Sequence, residues 1–147
     1  MFITKNTLAE LTFYLKSFRK ILRKDHLPKP LFPDGVTIGQ VAYHTAESAN
    51  YWLKVHILKE EYPRDRDSEF IDKHSLENIL NTLDQAMKLC QEVAKRKIRL
   101  DEKLKTEREV YSMGFKVTNH YEVLQHVTSH TAEHFGHISV KIKEENT

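Results

Sequence analysis

Turn formers, cross-links and one-sided charge are all scarce in this sequence. Its 147 residues include four glycines, four prolines and one cysteine. All-β sandwiches and barrels need a turn about every 8–12 residues, so this shortage argues against them and toward helices. The lone Cys90 excludes an internal disulfide, and a chain of this length can build its core without one. Cys90 lies in the helical run Leu83, Ala86, Met87, Cys90, Val93, which marks it as a packing residue and not a reactive thiol. No segment approaches the roughly 18 apolar residues of a membrane span, and no apolar stretch follows a basic start. The membrane is therefore not an expected partner, and a cytoplasmic location is expected. Lys and Arg number 23 against 21 Asp and Glu, a formal charge of +2. That is far from the basic excess needed to grip a phosphate backbone, so nucleic acid is not an expected partner either.

What is present is helical periodicity. Thr7 with Glu10 has the spacing of a capping box, and Leu8, Leu11, Leu15, Phe18 and Leu22 follow on one face to about residue 23. Residues 26–36 hold three prolines and a glycine and must leave the helix. Thr37 with Gln40 repeats the capping box and opens a second helix through Val41, Ala42, Thr45, Ala49, Trp52 and Leu53, ending before Pro63. Residues 60–74 mix both charge signs and read as a solvated connection. Ser75 caps a third helix with the stripe Leu76, Ile79, Leu80, Leu83, Ala86, Met87, Cys90, Val93. Lys95 to Arg108 reads as a charged helix end running into a loop. Asn119 with Glu122 opens a fourth helix carrying Val123, Leu124, Val127, Thr131 and Ile138. The expected fold is all-α, a four-helix bundle with long connections, in one domain spanning 1–147.

Histidine is the one residue in excess, with nine copies. His126, His130 and His134 recur every four residues on the fourth helix, so one face carries all three. Chance predicts roughly 0.5 H-x-x-x-H pairs at this composition but roughly 0.03 runs of three, so the series is the informative feature. Rotation of about 100° per residue puts His134 within the apolar stripe and His130 beside it, both facing inward. Imidazoles so spaced can converge on one ion. His126 and His137 fall further round and are expected to support the site without binding the ion. A third ligand must come from another helix. His44, beside Val41 and Ser48, is the best candidate, although a single histidine at such a position is more often a hydrogen-bonded interior residue. His26, His56, His74 and His120 read as ordinary polar residues. The glutamate position of H-E-x-x-H is Thr131, so that protease chemistry is not supported.

The segments TIGQVAYHTAESANYW and VLQHVTSHTAEHFGHI, one with a histidine midway along a helix and the other with H-x-x-x-H before a Gly–polar–Ile ending, resemble the DinB-like (DinB/YfiT) superfamily. The resemblance covers essentially the whole chain. It implies a metal triad of His44, His130 and His134, an up-down-down-up bundle, a bound divalent ion such as zinc or nickel, and a homodimer. This sequence departs from the family pattern at Phe135, where a basic residue is frequent, and at His137, where Gln is frequent.

The expected function is that of a metal-dependent enzyme acting on a small molecule, as a transferase using a low-molecular-weight thiol or as a hydrolase. Glu47, Ser48 and Tyr51, within two turns of His44, are candidates to hydrogen-bond a ligand or substrate. The rival expectation is a non-catalytic, stress-related or interaction module in which the metal is structural. A di-iron carboxylate bundle is disfavoured, since Glu-x-x-His does not occur.

Overall fold

The computed structural model describes residues 1–104, 109–112 and 114–146. Its helices are α1 (Ala9–Ile21), α2 (Ile38–Tyr51), α3 (Arg66–Ile71), α4 (Leu76–Lys95) and α5 (His120–Glu145). A short 3₁₀ turn, Lys24–His26, follows α1, and a π-helical segment, Trp52–Ile57, extends α2. Before α5 runs an antiparallel hairpin, β1 (Val110–Ser112) and β2 (Phe115–Val117), pairing Val110 with Val117 and Ser112 with Phe115. The chain is thus mostly helical, as its periodicity implies.

Each long helix turns its apolar stripe to a shared core. α1 supplies Leu11, Leu15 and Phe18, α2 supplies Ile38, Val41, Ala42 and Ala46, α4 supplies Ile79, Leu83 and Ala86, and α5 supplies Val123, Val127 and Ile138, all buried. α2 packs on α4 and α5, and α1 packs on the same two helices. Burying a side chain of this size contributes about 1.5–3 kcal/mol, which must offset the entropy of ordering the chain. The small residues Ala42, Ala46 and Ala49 are fully buried on α2. Asn50, also buried, ties α2 to α4 by donating to the carbonyls of Ala46 and Thr82 at 2.9 and 3.0 Å.

Three of the expected caps form. The Thr37 hydroxyl accepts from Gln40 N while the Gln40 side chain accepts from Thr37 N, a full capping box. Ser75 caps α4 through Asn78 N, and Asn119 caps α5 through Glu122 N. The box at Thr7 does not form. Its hydroxyl turns back to Thr4, accepting from Thr4 N at 2.7 Å and donating to Thr4 O at 2.8 Å. A local serine/threonine turn thus takes the group, and α1 starts at Ala9 with no side-chain cap.

Two other expectations need correction. Residues 60–74 are not merely solvated, because they contain α3, capped by Asp65 through Ser68 N, and α3 buries Glu69. The charged stretch after α4 is irregular as expected through Leu104, and its last residues, 105–108, lie outside the described ones. It leads into the hairpin, which departs from the all-α expectation; Gly114, just before β2, has φ 85°.

Candidate metal centre

His44 and the pair His130 and His134 meet where α2 packs on α5. One ring nitrogen from each lies within 4.8 Å of the others. Nε2 of His130 is 3.1 Å from Nε2 of His44 and 3.1 Å from Nε2 of His134. His44 is buried, while His130 and His134 are partly so. The i, i+4 spacing aligns the two α5 histidines, and α2, started by the Thr37 cap, carries His44 opposite them.

Burial, with the neighbouring rings His134, His44 and His126, pushes the pKa of His130 down to about 2. Burial, with His44 and His137, pushes His134 down to about 4. Both rings are neutral near pH 7, the form that donates a lone pair to a metal.

The arrangement suits a cation better than it suits hydrogen bonds among the three rings. A neutral imidazole carries one N–H, so His130 Nε2 can donate to only one of its two neighbours. If it accepts, its single lone pair can take a hydrogen from only one of them. Two nitrogens each ~2.0–2.1 Å from an ion stand about 2.9–3.4 Å apart at tetrahedral to octahedral angles, and 3.1 Å falls in that range. Nδ1 of His134 is in addition buried without a partner among the described residues. The residues present therefore fit a divalent ion.

Two residues that the sequence did not single out complete the site. Glu69 of α3, 1% exposed, places Oε1 2.8 Å from His44 Nδ1. Arg64 grips the same carboxylate twice, Nε to Oε2 at 2.8 Å and Nη2 to Oε1 at 2.9 Å. Burial alone would raise the Glu69 carboxyl, but the hydrogen bonds from His44 and Arg64 outweigh it and hold the group below the usual carboxylate range. Nothing local in Asp65–Phe70 distinguishes Glu69 from its acidic neighbours. Its burial depends on α2.

The centre opens on a cavity of about 810 Å³ whose walls include His44, His130, Ser48, Tyr51, Trp52, His56, Arg64, Arg66, Ser112 and His126. The π-helical segment carries Trp52 and His56 to this wall, and such segments are frequent beside functional sites. His126 packs against Trp52, with ring centroids 4.2 Å apart and the planes tilted by 46°, and its Nδ1 is hydrogen-bonded to the Ser112 hydroxyl. It therefore faces the cavity and does not join the cluster of three. His137 is exposed and meets Phe32 edge to face.

Of the helix α2 candidates, Ser48 and Tyr51 line the cavity, and Arg64 stands 5.5 Å over the Tyr51 ring. Glu47 instead accepts a hydrogen bond from Tyr62, which anchors the connection before α3. The histidines read as ordinary are more engaged than expected. His74 Nε2 meets Glu69 O at 3.1 Å, His120 is fully buried with Nδ1 2.8 Å from Arg99 O, and His26 is buried too.

No curated protein and no solved structure matches the chain. The family model of the DinB superfamily matches residues 17–138, a span that includes all three clustered histidines. The chain belongs to the DinB superfamily.

Proposed function

We propose that this protein is a metal-dependent enzyme in which His44, His130 and His134 hold one divalent ion, zinc or nickel, and in which a small-molecule substrate enters the adjoining cavity. The observation that carries the reading is the convergence of three ring nitrogens within 4.8 Å on a site that opens to a cavity of about 810 Å³. A purely structural metal has no need of such an opening, and this favours the enzyme over the non-catalytic module. When bound, the ion would lower the pKa of a water or thiol and so supply a nucleophile near neutral pH.

The chain's own residues do the rest. The three imidazoles, all on helices, leave room on the cavity side for that nucleophile. Ser48, Tyr51 and the Ser112–His126 pair offer hydrogen bonds along the wall, while Trp52 gives an apolar surface for the electrophile. Transfer to a low-molecular-weight thiol, or hydrolysis, is the reaction this arrangement serves. Membership of the superfamily extends the reading to an up-down-down-up four-helix bundle and a homodimer, and the sequence expectation of a cytoplasmic setting completes it.

The test is metal analysis of protein purified without an affinity tag, followed by a screen of thiol-transfer and hydrolytic reactions on metal-reconstituted protein. One ion per chain, lost in His44→Ala, His130→Ala and His134→Ala and accompanied by turnover, is the expected result. Equal metal content in all three variants and the wild type would overturn the site. One ion whose removal unfolds the chain, with no turnover, would favour the structural module.

A further inference from the structure

The carboxylate of Glu69 meets His44 on the side of the ring away from the histidine cluster. We propose that Glu69, clamped by Arg64, is a positioning residue that fixes His44 in the tautomer with hydrogen on Nδ1, so that the Nε2 lone pair faces His130 and His134. The inference rests on the three-histidine reading for its purpose, but its central claim concerns a proton position that exists without metal.

The geometry leaves little choice. Glu69 Oε1 is 2.8 Å from His44 Nδ1, and an ionised carboxylate can only accept. A lone pair on Nδ1 would face the carboxylate at that distance and be repelled. With hydrogen on Nδ1, the neutral ring has its free pair on Nε2, the atom 3.1 Å from His130 Nε2. Arg64 Nη2 also comes within 3.3 Å of Nδ1. A guanidinium cannot donate to a nitrogen that already carries hydrogen, so the shorter bond to Glu69 decides the tautomer, and Arg64 spends its two close contacts on the carboxylate.

Both partners are held from outside the site. The Arg64 side chain is 7% exposed and the Glu69 side chain 1%. At the C-terminal end of α3, Gln40 Nε2 donates to Phe70 O at 2.8 Å, and His74 Nε2 donates to Glu69 O at 3.1 Å while its ring stacks on Tyr43 with centroids 3.8 Å apart. The short helix is thereby pinned to α2, the helix that carries His44. A carboxylate behind a ligating histidine raises its basicity and fixes its ring plane, and losing such a group typically costs 10–100-fold in metal affinity. In Glu69→Gln, one of the two atoms that Arg64 grips becomes an NH₂ that cannot accept, so the clamp is broken and the preference for hydrogen on His44 Nδ1 weakens.

The experiment is ¹⁵N NMR of the histidine rings in the metal-free full chain, with His44 assigned by comparison with His44→Ala, together with competition titrations of zinc. The wild type should show His44 with hydrogen on Nδ1. In Glu69→Gln the tautomer should shift toward Nε2–H, and zinc affinity should fall about 10–100-fold. In a His44→Ala background the same substitution should change affinity by no more than about twofold. Hydrogen on Nε2 in the wild type would overturn the proposal outright, even if Glu69→Gln did not fold, and would mean that Arg64 donates to His44. An unchanged tautomer and affinity in folded Glu69→Gln would overturn it as well. Hydrogen on Nδ1 in a wild type that binds no zinc would uphold the positioning role while sinking the metal reading.

Discussion

Nε2 of His44 lies 3.1 Å from Nε2 of His130, although 86 residues separate the two in sequence. Metal-free, the pair keeps buried lone pairs close together, and this has a consequence for acid stability. The folded pKa values of His130 and His134, about 2 and about 4, lie below the unfolded value of about 6.5. Between these limits the unfolded chain binds protons that the folded chain refuses, so stability rises with pH there. The metal-free protein should lose stability as pH falls below about 6.5, with the His134 share complete near 4 and the His130 share continuing toward 2. Urea midpoints should be higher at pH 7 than at pH 5, and the difference should shrink in His130→Gln. Equal midpoints in the wild type would refute the depressed values.

His126→Ala should retain most of its metal, because the ring faces Trp52 and the Ser112 hydroxyl and lies outside the cluster of three. Activity, once found, should drop about 10–100-fold through the altered cavity wall. His137→Ala should retain metal too, its ring being exposed against Phe32. Metal analysis checks both, and complete loss from either variant would make that residue a ligand.

Two helical glycines should respond oppositely to alanine. A Cβ at Gly39 would stand 3.2 Å from both Cβ and the carbonyl oxygen of Leu27, where the 26–36 connection closes on α2 through the 3.0 Å bond from Gly39 N to Leu27 O. Gly39→Ala should destabilise by about 1–3 kcal/mol. Gly136, inside α5, has open space around it, and Gly136→Ala should stabilise by about 0.5–1 kcal/mol. Thermal unfolding of the two variants decides it, and the same sign in both would contradict the packing described.

Cys90 should be inert in the folded protein. Burial pushes its thiol up to about 12, so at pH 8 almost no thiolate forms, and it is the thiolate that reacts. A thiol reagent should modify it at the rate of unfolding and at once in denaturant. Rapid stoichiometric labelling of the native chain would show that Cys90 is reachable.

The parts of the site legible in the sequence are those governed by local geometry. His130 and His134 share a face because 3.6 residues make a turn, and this holds whatever else packs against α5. Ser75, Asn119 and the Thr37 box act within three residues of themselves. Thr7 shows the limit of such signals, since its hydroxyl had two local partners within reach and took Thr4. The hairpin was not anticipated, because its two three-residue strands carry too short a pattern beside the charged run before them.

Helix class, the inward face of α5 and the pairing of His130 with His134 follow from the sequence alone, because periodicity and capping are properties of neighbours along the chain. Tertiary structure decided everything that depends on two segments meeting. His44 could be read only as a candidate until α2 packed on α5 and brought its Nε2 to His130. Glu69 and Arg64 stand in a stretch whose composition says solvent, yet their side chains are 1% and 7% exposed, since each satisfies the other's charge and Glu69 accepts from His44 Nδ1. A charged side chain can enter a protein interior only when its partner enters with it; Arg64 stands five residues from Glu69, but the His44 ring that shares the carboxylate is 25 residues away and is supplied by the fold and not by the local sequence.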